Sequence, residues 1–145
     1  MSDAQQSPVP SADLEGLDRL VGTWKVSGGV EGEVRYEWME GRFFLLQHIT
    51  MTDADGNPIQ GMEVIGRLRS FDGTVSEDIH SRYYGSDGST FDYGSELDGD
   101  TLTIWGGERG SPAYFRGTFD ASGDTNTGAW VYPGGGGYDS VMTRA

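Results

Sequence analysis

The chain has 145 residues, enough to bury the core of a single domain. It contains no cysteine, which excludes disulfides, thiolate nucleophiles and cysteine-ligated zinc or iron–sulfur centres. The formal net charge is −13, with 23 acidic residues against 10 lysines and arginines. Because such a charge repels phosphate groups and anionic lipids, we expect neither nucleic acid nor a membrane as a partner.

The first segment of the chain is polar and contains two prolines, so we expect 1–12 to be a disordered tail. The single domain is expected to span 13–145. The tail has no basic and apolar segment typical of a secretion signal, and no run of 18 apolar residues occurs anywhere. A cytoplasmic protein is therefore the expectation.

A short helix is predicted at the start of the domain. Asp13 is a candidate N-cap, and Leu14, Leu17 and Leu20 follow at the three-residue spacing of one apolar helix face. We expect this helix to close one end of the structure that follows it.

Alternating strand patterns, separated by turn residues, occupy the rest of the chain. Asp72-Gly73 and Asp98-Gly99 are examples of these turns, since such pairs adopt the backbone angles of tight hairpins. Short connections require consecutive antiparallel pairing, and a long twisted meander closes on itself. The sequence therefore predicts an all-β fold, a single up-and-down antiparallel β-barrel of about ten strands with a short N-terminal helix. The candidate strands are 21–28, 33–39, 42–52, 59–71, 75–84, 90–97, 101–105, 113–119, 127–132 and 138–144.

Alternation also predicts which side chains face the interior. Val34, Tyr36 and Trp38 share one face of their strand, and the residues between them are charged. Residues 43–46 are apolar on both faces, so we expect a cover on the outer side as well. A neighbouring copy of the chain is one such cover, and the protein is expected to be a monomer or a homodimer.

The segment Leu17-x-x-Leu20-x-Gly22-x-Trp24, the ten-strand meander and the closing Met142-Thr143-Arg144 together resemble the calycin-like barrels, specifically the nitrobindin-like branch. The resemblance covers nearly the whole chain. It implies that Trp24 packs beneath Arg144 at the closed end, as a cation–π pair on the floor of the barrel.

The resemblance also implies a haem bound through a histidine on or near the last strand. The segment 137–144 has no histidine, and His48 and His80 lie elsewhere. We therefore expect no cofactor, and a haem-binding nitrobindin-like protein remains an alternative.

The densest polar group of the sequence is formed by Asp78, His80 and Arg82, which share one strand face. If that face points inward, Asp78 orients His80 as a general base and Arg82 holds an anionic group. If it points outward, it is a solvated surface, and the usual inward preference of apolar residues favours this second orientation. No spacing in the chain is typical of a metal site.

A container of this kind is expected to bind a small, mostly apolar molecule as a carrier or sensor. The glycine-rich runs 106–112 and 133–137 are expected to be loops at its mouth. The alternative is a cofactor-independent cyclase or isomerase that uses the barrel as a shaped chamber, with His80 and Asp78 as the catalytic pair. The candidate anchors and rim residues are His48, Glu63, His80, Arg82, Trp105 and Tyr132.

Overall fold

Ten antiparallel strands form a closed barrel in the computed structural model, which describes residues 9–145. Each strand pairs with its neighbours in the chain, and the first strand pairs with the last, so the sheet has no free edge. The predicted up-and-down barrel with a short N-terminal helix is thus confirmed. The strands are β1 Gly22–Gly28, β2 Val30–Trp38, β3 Phe44–Asp53, β4 Pro58–Gly66, β5 Ile79–Gly85, β6 Thr90–Asp98, β7 Thr101–Gly106, β8 Tyr114–Phe119, β9 Thr125–Val131 and β10 Tyr138–Arg144.

The helical segment begins slightly earlier than predicted. Helix α1 spans Ala12–Glu15, and Ser11 stands at its N-cap position in place of Asp13. The Asp13 carboxylate instead accepts a hydrogen bond from Leu14 N and pairs with Arg67, which also donates to Ser11 Oγ over 3.1 Å. Residues 1–8 of the predicted tail lie outside the described residues.

The closed end of the barrel is built on the helical segment. A 3₁₀ helix, Gly16–Leu20, follows α1. Leu14, Leu17 and Leu20 are at most 3% exposed and join the interior cluster that contains Trp24. Trp24 Nε1 donates a hydrogen bond to the Leu20 carbonyl over 2.7 Å, which ties the helical segment to β1.

The segment between β4 and β5 differs from the prediction. Two long strands were expected to meet at Asp72-Gly73, but β4 ends at Gly66 and β5 begins at Ile79. Residues 67–78 form an irregular hairpin that does turn at Ser70–Gly73, with a single bridge between Arg69 and Val75. At its base the Arg67 guanidinium donates to the carbonyls of Ser76 and Glu77, and the regular strands stop short of it. Arg69 in this segment lies 5.4 Å from the ring centroid of Phe43, next to the start of β3.

Glycines allow close approach of the strands on one side of the barrel. A Cβ added at Gly128 would lie 2.5 Å from Gly117 Cα and closer still to the Arg116 carbonyl. Because these neighbours are backbone atoms, they cannot move aside without disturbing the β8–β9 pairing.

We therefore expect Gly128→Ala to lower the free energy of unfolding by about 1–3 kcal/mol. Gly94→Ala is the matched control, since its Cβ would meet nothing nearer than Arg109 N at 3.5 Å. Urea denaturation of both variants measures the difference. Equal stability of the two variants would contradict the close packing of β8 on β9.

Neither helical segment in residues 9–145 is long and apolar enough to cross a membrane.

Candidate functional site

A cavity of about 510 Å³ occupies the barrel at the end opposite to the helical segment. Its walls come from strands, and its rim includes residues of the β3–β4 and β5–β6 turns. A smaller cavity of about 90 Å³ adjoins it and shares Gln47, Met51 and Ile104. The larger cavity is lined by Gln47, Ile49, Met51, Pro58, Ile59, Gln60, Glu63, Tyr83, Ser86, Asp87, Ser89, Phe91, Tyr93, Ile104, Trp130 and Tyr138.

One row of inward side chains crosses five neighbouring strands. Strand register places Tyr36 opposite Gln47, Gln47 opposite Glu63, Glu63 opposite Tyr83, and Tyr83 opposite Phe91. Directly opposed residues on one face of a sheet are in contact range of each other. On this wall of the cavity, the Glu63 carboxyl group therefore lies between the Gln47 amide and the Tyr83 phenol.

Glu63 is the buried acid of this wall, with 9% of its surface exposed. Burial raises the pKa of its carboxyl group to about 7, and the neighbouring Ser81 hydroxyl opposes this shift only in part. Within residues 9–145, the Ser81 Oγ forms no hydrogen bond of normal length and angle. Within residues 9–145, Glu63 forms no ion pair. At neutral pH the cavity therefore holds a carboxyl group that is partly ionised and has no counter-ion.

Tyrosines surround Glu63 on the other strands. Burial and then the charge of Glu63 raise the pKa of Tyr93 to about 12, and the same two causes raise the pKa of Tyr36 further. Burial, Asp87 and Glu63 together raise the pKa of Tyr83, whose hydroxyl donates to the Gln60 carbonyl over 3.1 Å. These phenols therefore stay protonated at neutral pH.

Aromatic rings form the opposite wall and the rim. Trp130 lies at the centre, with ring centroids 6.0 Å from Tyr93, 5.6 Å from Phe115 and 6.0 Å from Tyr132. Tyr132 stacks on Trp130 at an interplanar angle of 13° and contacts the Tyr138 ring. A flat apolar group inside the cavity would meet these ring faces.

Two of the predicted ligand-site residues lie at this cavity. Glu63 is on its wall, and Tyr132 is at its rim, stacked on a lining residue and 36% exposed. The topology also brings the runs 106–112 and 133–137 to the same end of the barrel, since both connect strands that finish there.

His48 does not line the cavity, contrary to the prediction. Its chain neighbours Gln47 and Ile49 do, and alternation then turns His48 to the outer face. There its Nε2 lies 2.6 Å from Glu37 Oε2.

Trp105 was also expected at the entrance and is found on the outer face. Ile104 beside it lines the cavity, whereas the Trp105 ring lies 5.0 Å from the Arg109 guanidinium carbon. The side chain is buried, with 8% exposed, because the β7–β8 loop that carries Arg109 covers it.

His80 and Arg82 face outward as well, so their predicted role as ligand anchors is wrong. Both contact Asp92, at 3.3 Å from His80 Nε2 and 2.6 Å from Arg82 Nε. Asp78 lies 3.9 Å from Arg109, which places it on the same outer surface. The proposed catalytic pair of Asp78 and His80 is therefore outside the chamber in which a cyclase would act.

The floor residues take the arrangement that the resemblance implies. Trp24 and Arg144 are opposed across β1 and β10, and the guanidinium carbon lies 4.2 Å from the Trp24 ring centroid. Arg144 also donates hydrogen bonds to the carbonyls of Val21 and Arg19, each over 2.8 Å.

Comparison with known proteins gives a likeness of fold. A de novo designed fluorescence-activating β-barrel matches the chain with a TM-score of 0.50 and 14% sequence identity. The match covers 93% of this chain and 100% of the designed one. No family model and no curated protein matches the sequence. The likeness supports the closed β-barrel fold, while membership of the calycin-like barrels and of their nitrobindin branch stays a prediction.

The residues present do not fit a histidine-ligated haem. No histidine lines the larger cavity of the described chain, because both histidines face outward. Among residues 9–145 there is also no group of three His, Asp or Glu side chains that could hold a metal ion. The haem alternative thus has no axial histidine inside the barrel.

Several lining residues were missed by sequence reasoning, among them Gln47, Tyr83, Tyr93 and Tyr138. Alternation alone assigns each of them to one face of its strand. The signal that joins them is register, since Gln47, Glu63 and Tyr83 become neighbours only when three strands align. Two turn lengths fix that alignment, and the turns can be read only approximately from sequence.

Proposed function

We propose that the protein binds a small, largely apolar molecule in the cavity at the open end of its barrel. The observation that carries the proposal is the cavity itself, about 510 Å³ with an apolar and aromatic wall and a single buried acid. Sites for small molecules have such volumes, and they combine apolar walls with a few polar anchors.

The arrangement of polar groups supports this proposal. The contacts of His48, His80 and Arg82 with carboxylates all lie on the outer surface. The interior retains Glu63, Gln47 and phenol groups as hydrogen-bonding partners beside Ile49 and Met51. An apolar ligand would therefore be held by contact area, and its orientation would be set by these few polar side chains.

An environment-sensitive dye tests the proposal directly. N-phenyl-1-naphthylamine is small, aromatic and uncharged, so its affinity reports the apolar wall. We expect Met51→Trp to weaken its binding at least tenfold, because Met51 lines both cavities and the larger ring would occupy them. Fluorescence titration with excitation beyond the tryptophan band gives the dissociation constants.

Thr50→Trp is the matched control, since Thr50 precedes Met51 on β3 and is exposed on the outer face. It should leave the affinity within twofold of the wild type. Binding that is unchanged by Met51→Trp would place the dye outside the barrel and contradict the proposed site.

A further inference from the structure

We propose that the ligand is an organic cation, a protonated amine or quaternary ammonium group on an apolar body, with the Glu63 carboxylate as its counter-ion. This inference rests on the proposed function and narrows it to one class of molecule.

The charges at the cavity are of one sign. Glu63 stands on its wall and Asp87 at its rim, and no lysine, arginine or histidine lines it in the described part of the chain. Arg67, the basic residue nearest to Glu63 in sequence, pairs with Asp13, and Arg82 pairs with Asp92 outside the barrel. A positive ligand would therefore meet attraction from the rim inward, reinforced by the net charge of −13.

The aromatic surface suits the same class of ligand. Tyr83 and Phe91 stack at 6.0 Å with an angle of 12°, next to Glu63 in the row of inward side chains. Trp130 and Tyr93 stand in the same cavity. Ring faces attract ammonium groups, and clusters of aromatic rings recognise quaternary ammonium ligands in proteins. The Glu63 carboxylate would add an opposite charge beside such rings.

The lack of a partner for Glu63 explains why a cation fits better than a neutral molecule. A buried carboxylate without a counter-ion is unfavourable, and the group retains a proton instead. A bound ammonium group would take the place of that proton, whereas a neutral ligand would leave the proton occupancy of the carboxyl group unchanged and an anion would be repelled. The titratable groups that face Glu63 are Tyr36 from β2, Tyr83 from β5, Tyr93 from β6 and Asp87 from the β5–β6 turn. The phenols are neutral below pH 9, so Glu63 is the wall group whose ionisation changes near pH 7.

Two probes that differ in charge but hardly in shape distinguish the effect of charge on affinity from the effect of contact area. Thioflavin T carries a fixed positive charge on its benzothiazolium nitrogen, and its uncharged analogue lacks only that N-methyl group. We expect the cation to bind the wild type at least tenfold more tightly at pH 8, measured by isothermal titration calorimetry. Glu63→Gln should weaken binding of the cation at least tenfold and leave the affinity of the analogue within twofold.

Glu33→Gln is the matched control, because it removes the same charge from an exposed position on β2. It should leave both affinities within twofold, which separates a local counter-ion from the net charge of the surface.

Proton release supplies a second measurement that needs no variant. At pH 7, binding of thioflavin T should release about half a proton per site, seen as a dependence of the heat on buffer ionisation enthalpy. The neutral analogue should release none. Equal affinities of the two probes, or binding of the cation without proton release, would overturn the cation class and leave the proposed function standing. Binding of neither probe would overturn this inference, and it would overturn the proposed function as well if N-phenyl-1-naphthylamine also fails to bind.

Discussion

Glu63→Gln is expected to raise the free energy of unfolding by about 3 kcal/mol at pH 8 relative to the wild type. In the folded protein, burial raises the pKa of Glu63 to about 7 from its ordinary value of 4.5. Linkage converts this difference between the folded and unfolded pKa into a free energy of about 3 kcal/mol. Glutamine keeps the size of the side chain and has no proton to lose, so the variant avoids the cost of ionisation.

The pH window of the effect follows from the same two pKa values. Below about pH 4.5, Glu63 is protonated in both states and the two proteins should differ little. As the pH rises from 4.5 to 7, the unfolded chain loses this proton while the folded chain retains it, so the wild type is progressively destabilised. Above pH 7 the folded form ionises as well, and the difference becomes constant.

Chemical denaturation at pH 4.5, 6, 7 and 8 measures this dependence. Other carboxyl groups act in the opposite direction at lower pH, as for Asp72, whose pKa is lowered to about 2 chiefly by the Ser70 hydroxyl. These groups are common to both proteins, and they cancel in the difference. Glu33→Gln should track the wild type at every pH. Parallel curves for the wild type and Glu63→Gln would show that Glu63 is not a buried, unpaired acid.

The strand pattern was sufficient to predict the barrel because its information is local. Alternation along β2, with Val34 and Tyr36 buried between charged residues, identifies a face without reference to any other strand. The hairpin turns are local as well, since Asp-Gly pairs carry their own backbone preference. Closure then follows from consecutive pairing of many twisted strands.

The site could be predicted only in part because its residues are joined by tertiary structure. Residues 43–46 are apolar throughout, so the pattern around His48 does not indicate which face is inside. The loop that covers Trp105 on the outer face leaves no periodic signal, and a buried tryptophan was read as a cavity residue. Glu63 was found by residue type, but its separation from the basic groups of residues 9–145 is visible only in the folded barrel.

The closed end and the open end of the barrel therefore differ in how their charged groups are paired. At the closed end, Arg144 donates hydrogen bonds to the carbonyls of Val21 and Arg19 and pairs with Asp124. Its charge is therefore neutralised within the scaffold. At the open end, Glu63 is left without such a partner. We expect the closed end, where Arg144 is paired, to contribute more to stability. We propose the open end, where Glu63 is unpaired, as the binding site.

Trp24→Ala should test this division and is expected to destabilise the protein by about 3–5 kcal/mol. Trp24 is fully buried, and its ring contacts both Arg144 and Phe119, with centroid distances of 4.2 and 6.2 Å. Truncation would open a cavity in the floor and leave the Leu20 carbonyl without the indole donor. Urea denaturation measures the loss.

Two further variants resolve what Trp24 contributes. Trp24→Phe keeps a ring beneath Arg144 and removes the indole donor, so a loss of about 1–2 kcal/mol is expected. Trp38→Ala removes a partly exposed tryptophan near the same end, whose Nε1 donates to Asp18, and should cost less than Trp24→Ala.

Because the floor lies at the end opposite to the cavity, folded Trp24→Phe should bind N-phenyl-1-naphthylamine with wild-type affinity. A cost of Trp24→Ala no greater than that of Trp38→Ala would contradict the role of Trp24 as the floor, and a loss of dye binding in Trp24→Phe would contradict the separation of the two ends.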